Sequence, residues 1–311
     1  MDHSTADPGP DSAYRLRGYV QALAGTIGER NMWRREALGA ARDLIAAEWR
    51  RQGYDVLPHV YAVDGVPCTN LEVTRRGRER PSEILLLGAH YDSVVSSPGA
   101  DDNASGVAAL LELSRRFAAA EPARTLRMVA FVNEESPFFG TAGMGSVAYA
   151  GAARARGDDI RLMLSLETLG YYRDEPGSQR YPPLFRFCYP DRGAFVAFVS
   201  NFASRRLLRQ TVEAFRLHSD FPVEHLAGPP LIQGLSWSDH SSFWHQGYPA
   251  IMITDTAFYR YPHYHTGSDT PDQLTYGAMA RVVDGLAGAI LDLAAAERID
   301  SRTGRRAEQR P

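Results

Sequence analysis

The chain has 311 residues, of which 44% are hydrophobic and 23% charged, and this composition is that of an ordinary globular protein. Its formal net charge of −3 gives no reason to expect a nucleic-acid partner. No apolar stretch approaches the ~20 residues of a membrane span, and the polar N-terminus lacks the apolar core of a secretory signal. We therefore expect no membrane association and a cytoplasmic location, unless a leader has been removed.

The hydrophobic pattern predicts one domain over residues 13–298, between a loose N-terminal tail (1–12) and a charged C-terminal tail (299–311). In its first half we expect a helix over 14–52 that stops at Gly53, followed by a hairpin with strands over 54–60 and 69–74. A charged turn over 75–80 then leads to a buried strand over 84–88, a helix over 103–117 and a second buried strand over 126–132. In its second half we expect helices over 143–155, 194–215, 238–246 and 276–297, and strands over 162–166, 184–188, 221–223 and 251–254. This alternation predicts a three-layer α/β/α sandwich around a mixed, mostly parallel sheet.

Several of the apolar runs end directly in side chains that bind metals. Glu134 and Glu135 follow the apolar run 128–132, and because adjacent like charges resist desolvation they indicate a nearby cation. Three further segments end similarly, at His90, at Glu167 and in the loop that carries His263 and His265. Open α/β sheets bind ligands outside the carboxyl ends of their strands. Histidine, aspartate and glutamate together favour zinc or a similar divalent ion.

Asp102 stands where the helix over 103–117 is predicted to begin, a position where a carboxylate also suits an N-cap. The other candidate ligands are two imidazoles and the carboxylates of Glu135 and Glu167. Two metals that share a bridging carboxylate each need about three protein ligands plus water. One of these carboxylates as a bridge completes that set and leaves Glu134 available as a base.

Six short stretches together resemble the M28 family of zinc peptidases, which includes bacterial leucyl-type aminopeptidases. They are Gly88-Ala-His90-Tyr-Asp92-Ser, Gly99-Ala-Asp-Asp102-Asn-Ala-Ser-Gly106, Asn133-Glu134-Glu135, Leu166-Glu167, Ser238-Asp-His240 and Tyr264-His265-Thr-x-x-Asp269-Thr. They occur in family order, and the resemblance covers roughly residues 15–297. The resemblance implies the zinc-exopeptidase fold, a bare catalytic domain and a peptide substrate, and it leaves the oligomeric state open.

The resemblance also implies two Zn²⁺ per chain. His90 and Glu167 would bind one zinc, Glu135 and His265 the other, and Asp102 would bridge them. His263 competes with His265, but it lacks the Thr-x-x-Asp continuation.

Further roles are implied around these ligands. Glu134 would act as general base and then general acid, and Asp92 would accept the second ring N–H of His90, as metal-bound histidines require. The peptide bond Asp102–Asn103 would be cis. Supporting contacts would come from Asp239 and His240.

The chain departs from the family pattern at three positions. Glu167 stands where many relatives carry aspartate, and Leu235 stands where some aminopeptidases place a tyrosine. Tyr264 matches the oxyanion-stabilising tyrosine of the carboxypeptidase branch, and Arg260 could supply a cation for a terminal carboxylate. Carboxylates around the metals would instead attract a substrate ammonium, which favours an aminopeptidase.

The same fold is compatible with two further classes of protein. The first is a single-zinc acyltransferase like the glutaminyl cyclases, which share the fold and ligand set. The second is a non-catalytic binding module, although receptor-like relatives have lost ligands that this chain retains.

Enzyme classes with unrelated chemistry fit the sequence poorly. The stretch Gly143-x-Gly145-x-x-Ala148 imitates a dinucleotide fingerprint, but it does not directly follow a strand. Neither a Gly-x-Ser-x-Gly elbow nor a Walker A loop occurs. Cys68 and Cys188 stand in no CxxC pair, and we expect both to be small buried hydrophobic side chains.

Overall fold

A computed structural model of the protein describes residues 10–182 and 185–299. Helix α1 spans Pro10–Val20 and continues as a π-helical segment over Gln21–Ile27, and α2 spans Arg35–Arg51. Residues 10–12 of the predicted tail are thus helical, whereas residues 1–9 lie outside the described part. A single helix over 14–52 was wrong, because the chain turns at Gly28 (φ 79°) and buries Arg30, whose guanidinium donates to the carbonyls of Tyr91, Pro98 and Gly99.

Among the described residues, eight strands form one mixed sheet in the order β1-β2-β4-β3-β5-β8-β6-β7. They are β1 Leu57–Val63, β2 Val66–Arg75, β3 Arg80–His90, β4 Arg124–Phe131, β5 Asp159–Glu167, β6 Val196–Asn201, β7 Val223–Gly228 and β8 Ala250–Thr254. The opening hairpin β1–β2 is confirmed. Its second strand, β2, pairs antiparallel to β4. The central strands β4, β3, β5 and β8 run parallel, as do β6 and β7, while β6 pairs antiparallel to β8.

The remaining helices are α3 Gly106–Phe117, α4 Gly145–Arg156, α5 Arg205–His218, α6 His240–His245 and α7 Tyr276–Ala295. The predicted helix over 194–215 was wrong in its first part, which is β6, because pairing on both sides within the sheet overrides local helical periodicity. The predicted strand over 184–188 was also wrong. Phe185–Phe187 is a 3₁₀ turn, and residue 184 lies outside the described residues. Cys188 follows this surface turn and is exposed, unlike the buried Cys68.

Two apolar layers cover the two faces of the sheet, so the three-layer sandwich is confirmed. Along β3, Leu85 and Leu87 pack into a cluster with α1, α2, α3, α5 and α7. Ile84 and Leu86 alternate to the opposite face and pack with α4 and α6. Within the described ranges, no helix is both long and apolar enough to cross a membrane.

Candidate metal centre

The central strands deliver the predicted ligands to one edge of the sheet. His90 is the last residue of β3, and Glu167 is the last residue of the neighbouring β5. Glu134 and Glu135 follow β4 by a few residues, after Asn133 turns the chain with φ 59°. Because parallel strands end together, their terminal side chains share one crevice.

Asp102 and His265 come from loops above that crevice. Asp102 lies in the irregular segment Ala100–Ser105, with φ −108° and ψ 90°, so it does not cap α3, whose N-cap residue is Ser105. The peptide Asp102–Asn103 is cis, as the family resemblance implied. The side chain of His265 is 38% exposed, whereas that of His90 is fully buried, so the crevice opens to solvent on the His265 side.

The carboxylate of Asp102 lies between the two histidines. Its Oδ1 is 3.1 Å from Nε2 of His90, and its Oδ2 is 3.0 Å from Nε2 of His265. Nε2 of His90 is also 3.5 Å from Oε1 of Glu167, and Nε2 of His265 is 3.4 Å from Oε2 of Glu135. Asp102 is therefore common to two sets of possible ligands.

The residues present fit divalent metal ions. One set is His90, Asp102 and Glu167, the other is Asp102, Glu135 and His265, and within each set the ligand atoms lie within 4.8 Å of one another. Nε2 of His90 and Oδ1 of Asp102 are buried and have no hydrogen-bond partner among the described residues. Buried polar atoms without a partner are costly, and a cation would satisfy them. Imidazole with carboxylate oxygen is a donor set typical of zinc.

Electrostatics point to the same conclusion. Burial raises the pKa of Glu134 well above its usual range, and the nearby Glu167 and Glu135 add to this. Burial also raises the pKa of Glu135, together with the charge of Asp102. Burial lowers the pKa of His90, but the surrounding carboxylates outweigh burial and raise it. The crevice thus holds more negative charge than its own residues neutralise.

Asp92 supports the two adjacent glutamates. Its carboxylate accepts hydrogen bonds from the backbone N–H groups of Glu134 and Glu135, each at 3.1 Å. Its Oδ1 lies 3.5 Å from Nδ1 of His90, which forms no hydrogen bond with any described residue. The expected hydrogen bond to His90 is thus only a close contact, because Asp92 is directed at the backbone after β4.

Two supporting residues were not singled out from the sequence. Ser238 donates to Oε2 of Glu167 at 2.7 Å and so orients that carboxylate. Asp269 accepts hydrogen bonds from the backbone N–H groups of Asp101 and Asp102. Both lie in stretches that carry the family resemblance, which is the signal that could have found them.

The neighbouring Asp239 and His240 are both buried. Burial raises the pKa of Asp239 to about 7, with the charge of His90 opposing it. Nε2 of His240 lies 2.8 Å from the carbonyl of Leu235, and its ring packs edge-on against Trp244 at 4.5 Å. His240 is therefore directed into the protein.

Tyr264 and His265 stack with ring centroids 3.9 Å apart. Burial raises the pKa of Tyr264, and the charge of Asp102 adds to this, so the phenol keeps its proton. His263 instead packs edge-on against Tyr261 and belongs to neither ligand set.

A cavity of about 120 Å³ adjoins the metal centre. Glu167 and Tyr264 line it at the metal side, and its other walls are mostly apolar and aromatic. Arg260 does not line it. The Arg260 guanidinium is buried and donates to Gln179 and to the carbonyls of Tyr171 and Phe195.

Four aromatic residues that follow the ligand-bearing segments divide into two pairs. Tyr171 and Tyr172 are buried, whereas Phe138 packs on Trp33 at 6.0 Å and Phe139 is 37% exposed. None of the four lines the cavity beside the metal centre.

An α/β sandwich with imidazoles and carboxylates gathered around one buried aspartate has the fold and site of a metalloenzyme. The sequence profile of peptidase family M28 matches residues 70–290, and the chain belongs to that family. It is a zinc-dependent peptidase that acts on peptides.

Two relatives are similar to most of the chain. The uncharacterized protein YfbL of Escherichia coli K12 is 38% identical over 88% of this chain and 86% of its own length. A probable zinc metalloprotease of Leptosphaeria maculans is 29% identical over 79% of this chain, which spans 63% of that longer relative.

Solved structures confirm the fold. The zinc aminopeptidase BSAP from Bacillus subtilis superposes with a TM-score of 0.72 at 15% identity, covering 93% of this chain and 97% of that one. The glutaminyl cyclase of Fimbriiglobus ruber superposes with a TM-score of 0.68 at 19% identity, covering 90% and 94%. At these identities the likeness is one of fold alone.

Proposed function

We propose that the protein is a di-zinc aminopeptidase that removes N-terminal residues from peptides. The main support for a two-metal site is the position of Asp102, whose two carboxylate oxygens lie 3.1 and 3.0 Å from two different histidines. A single carboxylate shared by two ligand sets is the arrangement of a bridged two-metal site.

In this proposal His90, Asp102 and Glu167 hold one zinc, and Asp102, Glu135 and His265 hold the other. Bound zinc polarises a scissile carbonyl and lowers the pKa of water toward ~7. The protein supplies the shape of the site, because Ser238 orients Glu167 and Asp92 orients the backbone of Glu135.

Glu134 is the proposed proton carrier. It belongs to neither ligand set, although its Oε2 lies 3.9 Å from Nε2 of His90, and it is buried beside both sets. It would accept a proton from the attacking water and deliver it to the leaving amine. Tyr264 would donate its phenolic proton in a hydrogen bond to the oxygen of the scissile carbonyl.

The charges around the cavity support attack from the amino end. The carboxylates of the crevice would attract a substrate ammonium, whereas a carboxypeptidase needs a cation for the terminal carboxylate. Arg260, the cation considered for that role, is committed to internal hydrogen bonds. No arginine lines the described walls of the cavity.

The test is a time course of a short peptide with the zinc-loaded protein, followed by mass spectrometry. We expect successive loss of N-terminal residues, and resistance of the same peptide when it is N-acetylated. Loss of C-terminal residues, or equal cleavage of the acetylated peptide, would contradict the aminopeptidase proposal.

The second candidate is a glutaminyl-cyclase-like acyltransferase, favoured by the fold shared with the Fimbriiglobus ruber enzyme. Metal analysis separates the two. The aminopeptidase proposal expects two zinc ions per chain, and Asp102→Ala should weaken both together. One firmly bound zinc, with release of ammonia from a peptide that begins with glutamine, would favour the cyclase.

A further inference from the structure

The floor of the cavity beside the metal centre is a row of residues that crosses four strands in register. Glu167 pairs with Thr254, Thr254 pairs with Ala197, and Ala197 pairs with Glu224. All four line the cavity. Three strand spacings of about 4.8 Å place the two glutamate backbones roughly 14 Å apart. The row therefore has one carboxylate at the metal centre and a second at its far end.

The part of the cavity that lies between the two carboxylates forms a groove. Thr254 and Ala197 in the middle of the row are small, so the cavity extends above them. The neighbouring row of the same face contributes the apolar side chains of Met252, Val199 and Leu226. The groove therefore suits a long side chain with an apolar stem.

Glu224, at the far end of the row, is paired with no side chain among the described residues. Strand alternation places it on the cavity face together with Leu226. Within the described part of the chain it forms no hydrogen bond or ion pair. The one basic group whose charge influences its pKa there is Arg216, which donates to the carbonyl of Val223 at 3.5 Å. Burial raises the pKa of Glu224, which means that its ionised form would gain from a cation.

Aromatic rings line the cavity together with this carboxylate, and two of them, Tyr181 and Tyr189, are influenced by its charge. Tyr189 packs against Phe185 and Tyr181, with ring centroids 6.2 and 5.8 Å apart. Its hydroxyl donates to the carbonyl of His225, the residue after Glu224, at 3.1 Å, which anchors the cluster to β7. Aromatic faces attract ammonium and guanidinium groups, and more strongly where water is excluded.

We propose that this cavity binds the side chain of the substrate residue whose carbonyl is attacked, and that it selects arginine or lysine with Glu224 as the counter-ion. The proposal rests on the proposed peptidase function and names its substrate class. The methylene stem would pack on Met252 and Val199 while the charged head reaches Glu224 and the aromatic rings.

The test compares lysine with norleucine, which has a nearly identical stem but no charge. Aminoacyl-amide substrates of arginine, lysine, norleucine and leucine are assayed with the wild type, Glu224→Gln and, as a surface control, Glu213→Gln. We expect kcat/KM for arginine and lysine to exceed that for norleucine by about tenfold or more. Glu224→Gln should remove that preference, since the amide keeps the shape but not the charge. It should leave kcat/KM for the norleucine substrate within ~3-fold of the wild-type value.

Outcomes that overturn this proposal differ from those that overturn the peptidase itself. Equal or better cleavage of norleucine and leucine, with Glu224→Gln unchanged, would show an apolar pocket and leave the aminopeptidase intact. If no substrate is cleaved, calorimetry with arginine amide and norleucine amide still tests whether the cavity prefers a cationic side chain. Tighter binding of arginine amide that Glu224→Gln abolishes supports the site, and equal binding of both ligands overturns it.

Discussion

The carboxylate of Asp269 accepts a hydrogen bond from the backbone N–H of Asp102 at 3.2 Å. It also accepts one from the N–H of Asp101 and one from the hydroxyl of Tyr261, each at 2.8 Å. Asp269 lies in the same loop as His265, so it ties the segment that carries Asp102 to the segment that carries His265. This connection determines where two proposed ligands of one zinc stand relative to each other.

We expect Asp269→Asn to lower zinc affinity by about 10- to 100-fold, the usual cost of losing a residue that orients metal ligands. The amide keeps the size, but its NH₂ group cannot accept hydrogen bonds from N–H donors. The measurement is zinc competition against a chelator of known affinity. Asp272→Asn, an exposed change in the 3₁₀ turn that follows this loop, is the matched control, and equal affinities in the two variants would contradict the positioning role.

Glu134→Gln should keep the fold and the bound zinc but lose about 10²- to 10⁴-fold in kcat, the range for removal of a general base. The amide preserves the shape of the side chain and cannot accept the proton of water. Zinc content and kcat are measured on the same preparation. A variant that retains zinc and near-wild-type kcat would show that another group is the base.

Tyr264→Phe should lower kcat by up to about 10²–10³-fold, the scale for loss of one oxyanion donor. The phenyl ring retains the stacking on His265, so zinc affinity should not change. Steady-state kinetics and zinc competition are both required. A variant with full kcat would remove Tyr264 from the mechanism, and a loss confined to zinc affinity would assign it a supporting role.

Stability should depend on pH through Glu112, which is buried in α3 and paired with Arg15, Arg115 and Arg116. Burial alone would raise its pKa, but hydrogen bonds from Arg115 and Arg15 outweigh burial and lower the pKa from 4.5 to about 2. A depressed pKa stabilises the fold above about pH 4.5, and this stabilisation is lost as pH falls toward 2. The difference between the pKa values of Glu112 in the unfolded and folded states corresponds to about 3 kcal/mol of folding stability at neutral pH.

We therefore expect Glu112→Gln to lower the free energy of unfolding by about 3 kcal/mol at pH 7 and by progressively less below pH 4.5. The measurement is urea unfolding across this range in excess chelator, so that metal binding does not contribute. Glu213→Gln on the exposed face of α5 should have little effect at any pH. A loss that does not depend on pH would show that Glu112 acts through packing rather than charge.

Local patterns in the sequence were sufficient for the central strands and for the positions of their terminal side chains. The apolar runs before His90 and Glu167 are long and continuous, because strands buried on both faces need such residues throughout. Parallel strands end at the same edge, so the sequence alone could place these residues in one crevice. Motif order then associated Asp102, Glu135 and His265 with them.

Features that depend on contacts between distant segments required the tertiary structure. The break between α1 and α2 serves to bury Arg30 against the loop at Pro98, and β6 is a strand because β7 and β8 flank it. The alignment of Glu224 with Glu167 depends on the register of four strands, and neither residue carries a local signal of it. Sequence periodicity reports which face of an element is buried, whereas register and loop contacts depend on what lies opposite that face.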